Sequence, residues 1–357
     1  MSKIPVIDGH NDTLTKAFDP DLGEKYSIFD SNENGQFDIP RATKGGMVGG
    51  FFSIYTPPAA DSPERDQAYG AQIFEYGYNV KPRSPIELQY ACKFTDAVFD
   101  YVEKINSNPQ IRIVRDYSEL SGSINGDYMA IILHIEGAEA IDCKFKQLEK
   151  YYDKGLRSLG PVWSRPNIYG EGIPFRYPSS PDTGPGLTID GRRLIGACNE
   201  MGIMIDLAHL NEQGFRDVKA LSHKPLVVTH GAVHSLCRSS RNITDFEIDA
   251  IADSGGVLGI FFEPININLR IAPDLSFFND VSLDEIVKHF DYVIKRIGPD
   301  FVAIGSDFDG ADMPSALKDV SFLPDLISAF SRKGYSDEII KKIAFENWLR
   351  VLRETLS

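Results

Sequence analysis

Short apolar runs alternate with longer stretches of helical periodicity along almost the whole chain. The first run occupies residues 4–8 and stops abruptly in the polar cluster Gly9-His10-Asn11-Asp12, as a buried strand does at its end. Comparable runs fall at 49–55, 128–135, 156–162, 203–207, 225–229, 256–262 and 301–305. Helical spacing separates most of them. Over 85–105 the apolar positions are Leu88, Ala91, Phe94, Val98, Tyr101 and Val102. The segments 143–154, 188–201, 211–221, 245–254 and 283–297 read the same way, and two more helical stretches close the chain near Leu356. Strands that are apolar nearly throughout, each followed by a helix, mark a parallel sheet covered on both faces. Eight such units predict an α/β fold of the (β/α)8, or TIM, barrel type. A doubly wound open sheet fits less well, because no Gly-rich phosphate turn follows the first strand. With no internal repeat, low-complexity tract or linker, a single domain over 1–357 is expected. A loop at about 164–187, dense in Pro, Gly and aromatic residues, interrupts the alternation, and a loop of that length is usually functional.

Composition narrows the setting. Hydrophobic residues make up 42% of the 357, enough for a large core, and no apolar run reaches the roughly 18 residues of a membrane span. The chain enters its first strand at once, leaving no room for a secretory signal. Its 4 cysteines (Cys92, Cys143, Cys198, Cys237) form no CxxC pair and read as free or buried thiols of a reducing compartment. A cytoplasmic location is the expectation. The net charge of −14 argues against nucleic acid or an anionic membrane as a partner.

The candidate chemistry lies where the strands end. In a barrel of this kind, residues at the carboxyl ends of the strands share one mouth. Those ends carry His10 and Asp12, Glu136, His209, His230 and Asp307. His10 and Asp12 project the same way if the extended conformation runs past Gly9. Carboxylates converging on one mouth repel each other unless cations sit between them. His, Asp and Glu without thiolates suit zinc or a similar divalent ion. Six such residues are too many for one tetrahedral ion and suit two ions sharing a carboxylate. Singly, each has an ordinary explanation: a helix cap for Glu136, a core histidine for His209 or His230, a turn cap for Asp307 or Asp309. Co-location carries the case, and Asp309, beside Gly310, keeps the turn assignment. His134 shares strand parity with Glu136 and is expected one layer deeper, as a hydrogen-bonded partner rather than a ligand. His234 follows His230 by four residues, but a strand end gives the two no common helix face. His223 and His289 are expected at the surface.

These residues resemble the renal, or membrane, dipeptidase family of the amidohydrolase superfamily. The segments Asp8-Gly9-His10-Asn11-Asp12, Ile135-Glu136-Gly137, Asp206-Leu207-Ala208-His209, Thr229-His230, Ser239-Ser240-Arg241-Asn242 and Gly305-Ser306-Asp307-Phe308-Asp309-Gly310 stand in the family's order. The likeness continues to Glu346-Asn347-Trp348-Leu349-Arg350-Val351. The resemblance implies a metal-dependent hydrolase with two zinc ions, one held by His10 and Asp12, the other by His209 and His230, and Glu136 bridging both. It implies hydrolysis of dipeptides, L,L and also L,D, with Arg241 receiving the substrate carboxylate and Asp307 transferring the proton. Homodimers are common in the family. Two metal ions lower the pKa of a water between them from about 15.7 to about 7 or below. A carboxylate clamp at Arg241 restricts such an enzyme to short substrates.

The chain departs from the family at its fourth strand. Where the family often has Leu-Thr-His, with the His contacting substrate, this chain reads Pro161-Val162-Trp163, which makes Trp163 the substrate-facing residue. Arg165, with Asn167 near it, is a candidate to replace the missing donor or to bind a second substrate carboxylate. The plainer expectation is that Trp163 walls the pocket and Arg165 points to solvent. An N-acyl-amino-acid deacylase, or another amide, lactone or phosphoester hydrolase on the same two ions, is the alternative activity, and a non-catalytic binding barrel is the alternative class. An aldolase-like barrel is excluded by the lack of a lysine at these strand ends.

Overall fold

A computed structural model describes residues 4–18, 26–66, 69–278 and 280–356. Its strands are β1 (Val6–Asn11), β2 (Met47–Tyr55), β3 (Ala71–Phe74), β4 (Gly77–Val80), β5 (Ile111–Ile113), β6 (Met129–Glu136), β7 (Leu156–Gly160), β8 (Arg176–Tyr177), β9 (Met204–Ile205), β10 (Val227–Gly231), β11 (Val257–Ile260) and β12 (Val302–Ile304). β1, β2, β6, β7 and β9 pair in parallel in that order, as do β10, β11 and β12. Single parallel bridges, Asp206 to Val227 and Asn11 to Phe308, join the two sections at both edges. The Leu207 amide donates to Val227 at 2.8 Å and the Asp12 amide to Phe308 at 2.8 Å. Eight parallel strands thus close in sequence order, and the predicted barrel is present.

Strand parity builds its interior. All of β6 is buried. Ala130 and Ile132 join Ile7, Phe51, Met204, Val257 and Trp348 inside the barrel, whereas Ile131, Leu133 and Ile135 join the layer between strands and helices. The interior is tight: a Cβ on Gly259 or Gly305 would lie 2.0 Å from the Thr229 carbonyl oxygen, so only glycine lets these backbones approach. Outside, the helix Leu283–Ile297 starts in a reciprocal cap between Ser282 and Glu285 and buries Ile286, Val287, Phe290 and Val293. No described helix is long and apolar enough to cross a membrane. The four cysteines are free.

Several elements differ from expectation. The 203–207 strand contracts to Met204–Ile205, because Asp206 already turns its side chain to Thr229. The long helix begins at Leu88 rather than 85. The antiparallel sheet β3–β4–β8 was not legible, being too short for alternation to stand out. It ties the 164–187 loop, which is otherwise irregular, to the hairpin at 71–80. His289 is buried rather than at the surface: its Nδ1 accepts from the Val233 amide at 3.0 Å and its Nε2 faces the Ile267 carbonyl at 3.0 Å. The helix containing it turns that face inward.

Candidate metal centre and active site

β1 does not keep a regular register to its end. Its pairing with β2 shifts between Asp8 and Asn11, which is how His10 reaches the barrel mouth. His10 Nε2 stands 3.5 Å from Asp12 Oδ2 and 3.6 Å from Glu136 Oε1. Glu136 arrives by simple alternation, as the last interior residue of β6. His209 Nε2 and His230 Nε2 lie 3.1 and 3.4 Å from the same Glu136 oxygen and 3.2 Å from each other. Asp307 completes the set, its carboxylate within 4.8 Å of ligand atoms of His10 and Asp12. All six residues singled out at the strand ends therefore meet. His209 and Asp307 hold left-handed backbones at φ 64° and 66°, conformations that non-glycine residues keep only where the surroundings enforce them.

The second ring nitrogens explain how the first ones are aimed. Ser164 Oγ lies 2.7 Å from His209 Nδ1, and Thr229 Oγ1 lies 2.9 Å from His230 Nδ1. Thr229 in turn donates to Asp206 Oδ2 at 2.6 Å. Oxygen partners at Nδ1 leave each Nε2 lone pair facing the cluster, as a metal-ligating imidazole requires. His134, one layer down as expected, meets Ser158 Oγ at 2.9 Å and sits 3.5 Å from Asp206. The positioning residues Ser164, Thr229 and Asp206 were missed as such. Thr229, directly before His230, was the one with a readable signal.

Charge and orphaned atoms bear on whether a metal fits. Burial pushes the His10 ring towards neutrality, but Glu136, Asp12 and Asp307 outweigh it and hold its pKa up at about 10. The Glu136 and Asp307 carboxyls are pushed well above their usual range by burial, with Asp12 adding to the shift and His10 and Arg241 opposing it. Burial, helped by Arg241 and His10, keeps His209 and His230 neutral. Both ring nitrogens of His10, Asp12 Oδ1 and Glu136 Oε1 are buried without a hydrogen-bond partner among the described residues. Lone pairs converge here on positions that call for positive charge. Histidine and carboxylate donors so arranged fit divalent cations of the zinc type.

Arg241, in the segment after β10, is buried across the mouth, its Nη2 donating to the His230 carbonyl at 3.2 Å and its guanidinium 5.5 Å from the Phe261 ring. Burial lowers its pKa, opposed first by Asp307 and then by Glu136. The mouth opens into two cavities of about 390 and 400 Å³ that share Trp163 as a wall.

The whole sequence, residues 1–357, matches the family model of the membrane dipeptidases, peptidase family M19. The chain belongs to the membrane dipeptidase family. A metallo peptidase of Rhodobacter sphaeroides, solved with a phosphinate mimic of the dipeptide L-Ala-D-Ala, superposes with a TM-score of 0.89 at 37% identity, over 99% of this chain and 100% of that one. An uncharacterized protein of the pqqA 5′ region of Klebsiella pneumoniae is 40% identical over 248 residues, 70% of this chain and 90% of that protein. Dipeptidase aclJ of Aspergillus oryzae is 28% identical over 99% of this chain and 78% of that protein.

This family member differs from the expectations at its 164–187 loop. Trp163 is half-buried, 5.1 Å from the Tyr55 ring, 5.6 Å from Phe175 and 5.7 Å from His209, so it does wall the pocket. Arg165 neither points to solvent nor reaches the mouth. It is fully buried, with Nε on Glu139 at 2.7 Å, Nη1 on the Tyr55 hydroxyl at 3.0 Å and Nη2 on the Thr56 carbonyl at 2.6 Å. Its fork is consumed by the protein. Asn167 likewise folds its own loop, donating to Pro161 and accepting from Tyr169. Asp309 stands in the turn, but its carboxylate accepts from the distant Thr13, Tyr26 and Gln36 amide rather than capping that turn. His234 turns to the Ser179 carbonyl at 2.9 Å, away from the cluster.

Proposed function

We propose that this membrane dipeptidase family member hydrolyses free dipeptides, L,L and L,D, with two divalent ions, zinc by the donor set. His10 and Asp12 would hold one ion, His209 and His230 the other, and Glu136 would bridge them. The observation that carries this reading is the meeting of three imidazole Nε2 atoms on one Glu136 oxygen within 3.1–3.6 Å. Bound there, the ions would supply Lewis-acid polarisation of the peptide carbonyl and a water ionisable near neutral pH. Asp307, whose carboxylate lies beside His10 and Asp12, would take the proton of the attacking water and hand it to the leaving amine. Arg241 holds the substrate's free carboxylate, with its fork supported from behind by the His230 carbonyl. Trp163 closes one wall and restricts water around the scissile bond. Acceptance of a D-residue at the carboxyl-terminal position is supported by the L-Ala-D-Ala mimic bound to the 37% identical metallo peptidase.

The test is a library of L,L and L,D dipeptides run on metal-analysed protein, with amino-blocked and carboxyl-amidated counterparts. Close to two ions per chain and turnover of the free dipeptides are expected, with amidated substrates cleaved far more slowly. Preference for amino-blocked substrates would replace this reading with an N-acyl-amino-acid deacylase. Full activity with one ion per chain would remove the bridged pair.

A further inference from the structure

The two cavities at the mouth lie over different strands. Arg241 belongs to the β10–β11 side, between the His230 carbonyl and the Phe261 ring, and the cavity of about 390 Å³ on that side includes Glu263 and Phe175. The cavity of about 400 Å³ lies over the ends of β1 and β2, where the candidate metal ligands Asp12 and Glu136, together with Asp309, line it beside Lys16, Arg65 and Arg83. In ring order β10 stands opposite β2. A dipeptide whose carboxylate sits on Arg241, and whose scissile bond lies over the His10–Glu136–His209–His230 cluster, therefore extends its amino-terminal residue into the β1–β2 cavity.

The three cations there are held differently. Lys16 Nζ is 3.3 Å from Asp309 Oδ1, so its charge is largely matched. Arg65 donates to the Pro58 carbonyl at 3.2 Å. Arg83 donates to the Asp66 carbonyl at 3.2 Å and lies 5.8 Å over the Trp163 ring, both uncharged partners. Arg83 stands between Pro82 and Pro85, which stiffen its segment, and it lines both cavities. A half-buried guanidinium over an aromatic wall, with the Glu64 carboxylate as a neighbouring charge but in no close ion pair among the described residues, is suited to receive an anionic group from the substrate.

We propose that the β1–β2 cavity is a subsite for a side-chain carboxylate on the substrate's amino-terminal residue, with Arg83 as its contact. The preferred substrates are then dipeptides that begin with Glu or Asp. This rests on the reading of Arg241 as the clamp for the carboxyl terminus.

The decisive comparison is between isosteres. With the metal-loaded enzyme, kcat/KM for L-Glu-L-Ala is expected to exceed that for L-Gln-L-Ala about tenfold, with L-Lys-L-Ala poorer than either. The Glu-to-Gln ratio should shrink as salt rises and fall towards one in Arg83→Met and Arg83→Gln. A ratio of one or less in the wild type overturns the subsite, as does a ratio that survives Arg83→Met. Cleavage of dipeptides without this discrimination sinks the subsite alone. Absence of cleavage for every dipeptide, neutral or acidic, sinks the dipeptidase reading and the subsite with it.

Discussion

The two ends of the barrel are built from the same strands and follow opposite rules. At the amino end, Trp348 is fully buried, its ring 5.1 Å from Phe51 and its indole N–H on the Ile304 carbonyl at 2.9 Å. Its helix, Asn347–Thr355, is fastened to the strand starts by Asn347, which bonds the Pro299 and Val302 carbonyls at 2.8 Å, and by Arg350, which bonds Asp300 at 2.7 Å. Apolar area is removed from water there and the indole's one donor is met. At the carboxyl end, buried nitrogens and oxygens of His10, Asp12 and Glu136 lack hydrogen-bond partners among the described residues, and His209, Asp307 and Asp309 hold left-handed backbones. The lesson is a division of labour: the base stores stability, and the mouth uses some of it to hold repelling, strained groups in place for a cation and a substrate.

Substitutions at the two ends should therefore separate activity from stability. The largest expected effect is at the mouth. Asp307→Asn keeps shape but cannot shuttle a proton, so kcat should fall roughly 10²–10⁴-fold while unfolding in urea is little changed. Normal turnover in that variant would move the proton transfer to another group. At the base, Trp348→Ala should cost about 3–5 kcal/mol in urea unfolding of the metal-loaded protein, with metal stoichiometry retained in the folded fraction. If it abolishes metal binding in folded protein, the two ends are not independent.

A histidine away from the mouth sharpens the contrast. His289 has both ring nitrogens satisfied by backbone, and burial lowers its pKa from 6.5 to about 4. The unfolded chain thus binds a proton that the folded one refuses. Stability from neutral His289 is complete above about pH 6.5 and is lost as pH falls towards about 4, in total about 3 kcal/mol. His289→Gln, compared with wild type over that range, should show a shallower decline; parallel profiles would remove His289 as the sensor. The smallest effect is predicted at Ser164, whose hydroxyl meets His209 Nδ1 at 2.7 Å. Ser164→Ala should weaken metal affinity about tenfold in chelator competition and leave urea unfolding of the metal-free protein nearly unchanged. Equal affinity in the two proteins would show that the hydroxyl does not orient the ring.

The barrel and its six converging residues were readable because both depend on short-range regularities. An apolar run such as 128–135 needs cover on both faces whatever surrounds it, and a polar residue just past such a run falls at the mouth by alternation, as Glu136 does. Alternation was less informative for His10, which reaches the mouth through a shifted register. The short hairpin β3–β4 was invisible because Ala71–Phe74 and Gly77–Val80 owe their pairing partly to β8, about a hundred residues later.

Side-chain fates set by distant partners were decided by the tertiary structure alone. Arg165 carries the same charge and length wherever it stands, and two roles at the substrate and one in solvent were all consistent with its neighbours in sequence. Glu139, 26 residues before it, and the ends of β2 decide that it is a buried strut. His289 lies on an amphipathic helix, where a polar residue near the boundary is as plausible inside as outside, and the Val233 amide, 56 residues away, decides for the inside. Local pattern determines which segments are buried and which chemical groups arrive at the mouth, because solvation acts on each residue where it stands. Which buried polar atom is satisfied, and by whom, depends on hydrogen-bond partners that only the closed barrel brings within reach.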